Sequence, residues 1–284
     1  ATLNQTKYQF ERYPTISAKG TRLWVAATAH NTVQEYRDLV AAQGTSAPPS
    51  GLIIQISNWG VNGGSAAAPL FAIRSADGLV PEIILTFGLG SLNPGAGVLA
   101  AVGMVLKRQV DVLYNYNFDN INRLTSDNIS ETMYHELSHT AQYQQAGGDW
   151  YAAFVGAIIT ETVSNSIDNT YSPYGPGNGA GSPIIAVGES WAYHYGHFLA
   201  DARYGTNASC QNEQRGLSYC NDSNTNRPHI DVLELFRPLY TPDPFKWIPK
   251  GVYLDLLDYN NETQPVLDLV SGYTNQQMFG AIEG

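Results

Sequence analysis

SDNISETMYHELSHTAQY, residues 126–143, carries both the clearest helical pattern of the chain and a dense cluster of chemistry. Ile129, Met133, Leu137 and Ala141 recur every fourth residue, the spacing of a buried stripe along an α-helix. His135, His139 and Gln142 fall on the other side, so the stripe anchors the helix and leaves the histidine face available. Two His at i and i+4 stand one turn apart, and both imidazoles can reach one metal ion. Between them in His135-Glu136-Leu137-Ser138-His139, Glu136 is placed to act as a base on metal-activated water. Asn128 is expected as the N-cap, with Glu131 three residues on as its capping-box partner and Asp127 near the positive helix end. The plain alternative is a solvated helix whose histidines never meet a metal, and the helical context that the motif requires weighs against it.

The chain has 284 residues and is 43% hydrophobic, enough for one large or two small domains with a sizeable core. Lys and Arg total 15 against 25 Asp and Glu, and the formal charge of -10 opposes binding to nucleic acid or anionic membranes. Peptide or protein substrates, glycoproteins among them, are the expected partners. The longest apolar run, GAGVLAAVGMVL at 95–106, is punctuated by Gly and stops at Lys107, so it reads as a buried helix rather than a membrane span. The two cysteines, Cys210 and Cys220 in CQNEQRGLSYC, are too few for a structural zinc site and fit a loop-closing disulfide in an oxidising compartment. The chain opens at Ala1 with neither a signal peptide nor an initiator Met, so a targeting segment is expected to have been removed or to lie outside this sequence. Secreted, cell-surface or periplasmic placement is the expectation. Asn128, Asn207 and Asn261 sit in N-x-Ser/Thr sequons, which are common by chance.

Strand candidates in the first half are TRLWVAAT (21–28), GLIIQIS (51–57), PLFAIRS (69–75), PEIILTF (81–87) and VDVLYNYN (110–117). Helical patterns lie between them at 31–44, with Val33, Tyr36, Leu39 and Val40, and at 95–108, which ends in Lys107 and Arg108. The segments GTSAPPSG and NGGSAAAP read as loops, and VDVLYNYN is a candidate edge strand for an extended peptide. From Trp150 onward the pattern is mostly helical, interrupted by SPYGPGNGAGSP and the cysteine loop, which makes the class α+β. The C-terminal stretch has two short helical patterns; Asp255, Asp258 and Asp268 within it carry carboxylates that suit Ca²⁺, but without an EF-hand pattern they read as helix-end and solvated residues.

A catalytic zinc site takes three protein ligands and keeps a position open for water. Gln142 and Gln145 stand where the metzincin pattern HExxHxxGxxH needs Gly and His, which excludes that solution. Glu161, 22 residues after His139, shares a helix face with Trp150, Phe154, Ala157 and Ile158 and is expected to point inward. Glu189, 50 residues after His139, shares a face with Ala186, Ala192, Gly196 and Ala200, small residues that let its helix pass close beneath the histidine helix. Close approach favours Glu189, and Glu161 stays open. Either could also be a buried Glu satisfied by hydrogen bonds or an ion pair. Tyr193 and His197, one and two turns beyond Glu189, are candidate donors to an oxyanion, with His229 a third.

HELSH followed at distance by GESWAYHYG resembles the gluzincin class of zinc metallopeptidases, in which HExxH supplies two ligands and a downstream Glu the third. The likeness is confined to these two helices. It implies one Zn²⁺ per chain held by His135, His139 and Glu189, with Glu136 as general base. It also implies a zincin-like arrangement: an N-terminal sheet-plus-helix lobe, 1–146, that includes the HExxH helix; a mostly helical lobe, 147–284, that carries the third ligand; and an active-site cleft between them. Several gluzincins place an Asp four residues after the ligand Glu to orient a ligand His, and Tyr193 stands there instead. Two other readings compete with a peptidase: a non-catalytic zinc-containing surface binding module or adhesin, and a zinc amidase acting on glycan or cell-wall amides.

Overall fold

The computed structural model describes residues 18–57, 66–67, 111–115, 125–167, 174, 177–205, 248–249, 252–257 and 271–282. Its first element, α1 (Ala18–Gln43), replaces the strand expected at 21–28 and absorbs the helix expected at 31–44. The buried positions Val25, Thr28, Ala29, Thr32, Tyr36 and Val40 form one continuous helical stripe. Thr28 and Thr32 hide it from a hydropathy reading because both are polar. Thr32 is nevertheless satisfied, its hydroxyl donating to the Thr28 carbonyl (2.8 Å) and meeting Ser130 Oγ (2.8 Å) on the histidine helix.

Three strands follow: β1 (Ile54–Ser57), β2 (Ala66–Ala67) and β3 (Val112–Asn115), in the order β1-β3-β2. β1 runs parallel to β3, with Ile54 opposite Val112, and β2 runs antiparallel to it, with Ala66 opposite Leu113. β3 is therefore central at Val112 and Leu113, which corrects its reading as an edge strand open to an extended peptide. Its side chains are buried from Val112 to Tyr114, as a strand covered on both faces requires. β2 arises within NGGSAAAP, read from the sequence as a loop; its pairing is set by β3, not by its own weak propensity. Val112 and Tyr114 pack against Val25 and Ala29 of α1 and against Ile129 and Met133. The candidates at 69–75, 81–87 and 95–108 lie outside the described residues.

α2 (Ser126–Ile167) carries the HExxH motif and is broken at Gly147, where φ 84 and ψ 169 are accessible only to glycine. Fifteen residues of unbroken helix would separate His139 from Phe154 by about 22 Å. Their rings lie 5.4 Å apart, so the chain bends sharply at the glycine and returns alongside the motif. The helix begins earlier than expected: the Thr125 carbonyl accepts from Ile129 N (3.0 Å), so Asn128 lies inside the first turn and is not the N-cap. Asp127 does stand in that first turn, where the helix dipole favours an anion.

α3 (Ser182–Tyr204) crosses α2 at the motif, and its Ala192, Gly196 and Ala200 are fully buried. Gly196 marks the closest approach: a Cβ there would stand 3.3 Å from Glu131 O and 3.3 Å from His135 N, atoms that cannot rotate away. Gly196→Val is expected to push the two helices apart at a cost of about 1–3 kcal/mol, lowering the Tm by several degrees. A Tm equal to wild type in differential scanning calorimetry would contradict this close packing.

Two short helices complete the described fold, α4 (Val252–Leu257) and α5 (Asn275–Gly280). A capping box starts α5, with Gln277 N donating to Thr274 Oγ1 (3.2 Å) and Thr274 N to Gln277 Oε1 (2.9 Å). Met278, Phe279 and Ile282 enter a core built from Tyr36 and Val40 of α1, Tyr134, Leu137 and Ala141 of α2, and Trp191, Tyr195 and Leu199 of α3. Trp191 stacks with Tyr195 and with Phe279, ring centroids 4.9 Å apart in each pair. The described part is thus mostly helical with a small sheet, α+β in class. None of its helices is long and apolar enough to cross a membrane.

Candidate metal centre

The buried stripe of Ile129, Met133, Leu137 and Ala141 fixes the rotation of α2, and that rotation presents His135 and His139 to α3. The small residues of α3 bring Glu189 up to them. His135 Nε2 lies 3.4 Å from Glu189 Oε2, His139 Nε2 lies 3.5 Å from Glu189 Oε1, and the two Nε2 atoms are 3.2 Å apart. One ligand atom from each residue falls within 4.8 Å of the others, a group able to hold a metal ion. Two imidazole nitrogens and one carboxylate oxygen from two rigid helices are a donor set that suits a transition metal of intermediate softness. Glu136 lies beside them and is only 5% exposed.

Secondary contacts fix these side chains. His139 Nδ1 lies 3.0 Å from Gln142 Oε1, and Gln142 Nε2 donates to the Gly188 carbonyl (3.0 Å). Tyr174 OH donates to Glu189 Oε2 (3.1 Å). The ring of His135 meets Tyr193 edge-on at 4.6 Å, and behind His139 Phe154 stacks on half-buried Trp150 at 5.5 Å. Glycine makes room for this wall, since a Cβ at Gly188 would run into the Phe154 ring.

Burial alone would push the His139 imidazole down, but the Glu189 carboxylate outweighs it and raises the pKa above the ordinary histidine value. Burial would likewise raise Glu189, yet His139 and His135 hold it well below the usual carboxylate range. Burial, reinforced by the charges of Glu136 and Glu189, pushes the Tyr151 and Tyr174 phenols far up, so both stay protonated.

Glu161, the other candidate ligand, points inward as expected but to a different place. Its carboxylate lies against the backbone of Gly179, outside the three-residue cluster. His197 pairs with Glu131 across the helix interface (Nδ1 to Oε1, 3.1 Å), which gives Glu131 a partner other than the expected capping box. Tyr193 stands beside His135. His229, the cysteine pair, the Asn207 and Asn261 sequons, Asp258, Asp268 and the Asp255 side chain lie outside the described residues. Tyr174 was not legible as a site residue, its one signal being a lone aromatic in a Gly/Pro/Ser loop just before the Glu189 helix. Comparison with protein-family models, curated proteins and solved structures finds no match to this chain.

Proposed function

We propose that the chain is an exported zinc-dependent metallopeptidase of the gluzincin kind, secreted or held at the cell surface or in the periplasm, built as a zincin-like pair of lobes and acting on peptide and protein substrates. The observation that carries this reading is the convergence of His135, His139 and Glu189 within ligand distance, with Glu136 buried beside them. His135, His139 and Glu189 would hold one Zn²⁺; three protein ligands fit a catalytic rather than a closed structural site. When bound, the ion supplies Lewis-acid activation of water and of the scissile carbonyl. Glu136 takes the proton from the attacking water and delivers it to the leaving amine, splitting the peptide bond without a covalent enzyme intermediate. Tyr193, beside His135, is the candidate donor to the developing oxyanion. His197 is drawn to Glu131, so its assigned part is to hold α3 on α2. Phe154, backed by Trp150, covers one face of the His139 ring and packs on α3 at Gly188, beside Glu189.

Elemental analysis of the purified protein after zinc loading tests the reading, together with hydrolysis of unfolded protein, glycopeptides and cell-wall fragments. One zinc per chain, lost in Glu189→Ala and retained in Glu161→Ala, is the expected result, with peptide hydrolysis abolished by chelation and restored by zinc. No zinc in the folded, loaded wild type would overturn the site. Zinc without hydrolysis of any substrate would instead indicate a binding module, and cleavage confined to cell-wall fragments an amidase.

A further inference from the structure

Gln142 is fully buried and touches both halves of the candidate centre. A backbone carbonyl can only accept, so the side-chain nitrogen of Gln142 must face Gly188 O. Its oxygen then faces His139 Nδ1 and can only accept in turn. Gln142 can therefore bond the neutral imidazole only when its hydrogen sits at Nδ1, which leaves the Nε2 lone pair directed at His135 Nε2 and Glu189 Oε1, where the ligand atoms converge.

We propose that Gln142 is a positioning residue for the metal centre, presetting the tautomer of His139 and tying that imidazole to the α3 backbone one residue before Glu189. One carboxamide thus links a ligand on α2 to the segment delivering the ligand on α3. A ligand His whose other nitrogen is held in this way is oriented before the ion arrives, so less ordering accompanies binding. Neither Glu nor Met can replace it fully. Glu retains an acceptor for Nδ1–H but brings a second acceptor against Gly188 O; Met, similar in volume, offers neither bond. This inference rests on the metal-site reading above.

The test uses the full chain. Long-range ¹H–¹⁵N spectra of the metal-free protein at mildly alkaline pH read the His139 tautomer, and competition with a chromophoric chelator reads zinc affinity. Wild type is expected to show hydrogen at Nδ1, and Gln142→Glu to keep it. Gln142→Met is expected to lose that preference and to bind zinc about 10–100-fold more weakly. The Nδ1–H tautomer and wild-type affinity together in Gln142→Met would overturn the proposal while leaving the metal centre standing. Should Gln142→Met not fold, Gln142→Glu decides: an Nε2–H tautomer there would overturn the assignment. A wild type that takes up no zinc would overturn both the centre and this role, even if its spectrum shows the Nδ1–H tautomer.

Discussion

Glu136→Gln is expected to bind one zinc as wild type does and to lose turnover by about 10²–10⁴-fold, the range attributable to a positioned general base. The substitution conserves shape and removes only the ability to take a proton. Glu136 is not among the three converging ligand atoms, so metal affinity has no reason to fall. Its carboxylate charge bears on His139, Tyr151 and Tyr174, all buried, so neutralising it does not add a buried charge. Loss of kcat with zinc stoichiometry and Tm preserved would identify the base. Full peptidase activity in this variant would remove Glu136 from the mechanism, and loss of zinc would make it a ligand or a structural residue instead.

Acidification provides the second large effect, far from the metal centre. His194 is completely buried, and its Nε2 meets Asn275 Oδ1 at 2.7 Å, joining α3 to α5. Since Oδ1 accepts, Nε2 carries the hydrogen of the neutral ring. Around it pack Trp191, Tyr195 and Phe198 of α3 and Tyr253 of α4, none of them charged. Burial lowers its pKa from 6.5 to about 4, only partly offset by the bond to Asn275. Above the unfolded value, both folded and unfolded chains hold the ring neutral and stability is unaffected. As pH falls from 6.5 toward 4, the unfolded chain takes up a proton that the folded chain refuses, so stability is lost. The loss approaches about 3 kcal/mol once the folded ring is also protonated, a substantial part of the stability of a typical domain. His194→Gln keeps a donor for Asn275 and cannot charge. Denaturant unfolding of both proteins at about pH 7 and about pH 4.5 should show a shallower acid dependence in the variant, by close to one proton at the steepest point. Parallel curves for the two proteins would mean that His194 is not held neutral by the fold.

The histidine helix was legible because pattern and motif reinforce each other: the four-residue stripe fixes which way it faces, and the two His sit opposite. Glu189 was legible through packing rather than chemistry, since Ala192, Gly196 and Ala200 mark a helix that can approach another closely. The helical pattern shows that Glu161 faces inward, but direction alone does not reveal whether an inward Glu meets a metal or a loop backbone. The first half of α1 is not legible because buried threonines resemble solvated ones in hydropathy, even where, as at Thr32, the hydroxyl bonds to a carbonyl one turn back. Gln142 lay visibly on the ligand face, yet its counterpart is the carbonyl of Gly188, and backbone atoms leave no mark in sequence. Tyr174 reaches Glu189 by the course of a loop, which no periodicity encodes.

The bend at Gly147 divides the centre into a part that assembles locally and a part that does not. Bringing Phe154 back over His139 closes 15 residues of chain, whereas joining His139 to Glu189 closes 50. Closure entropy grows with the logarithm of length, a difference of about 1 kcal/mol in favour of the shorter contact. The histidine pair and its aromatic backing can therefore form early, as a helical hairpin rich in short-range contacts, while the carboxylate arrives with the docking of α3. The expected order of assembly is then the two imidazoles first and Glu189 last.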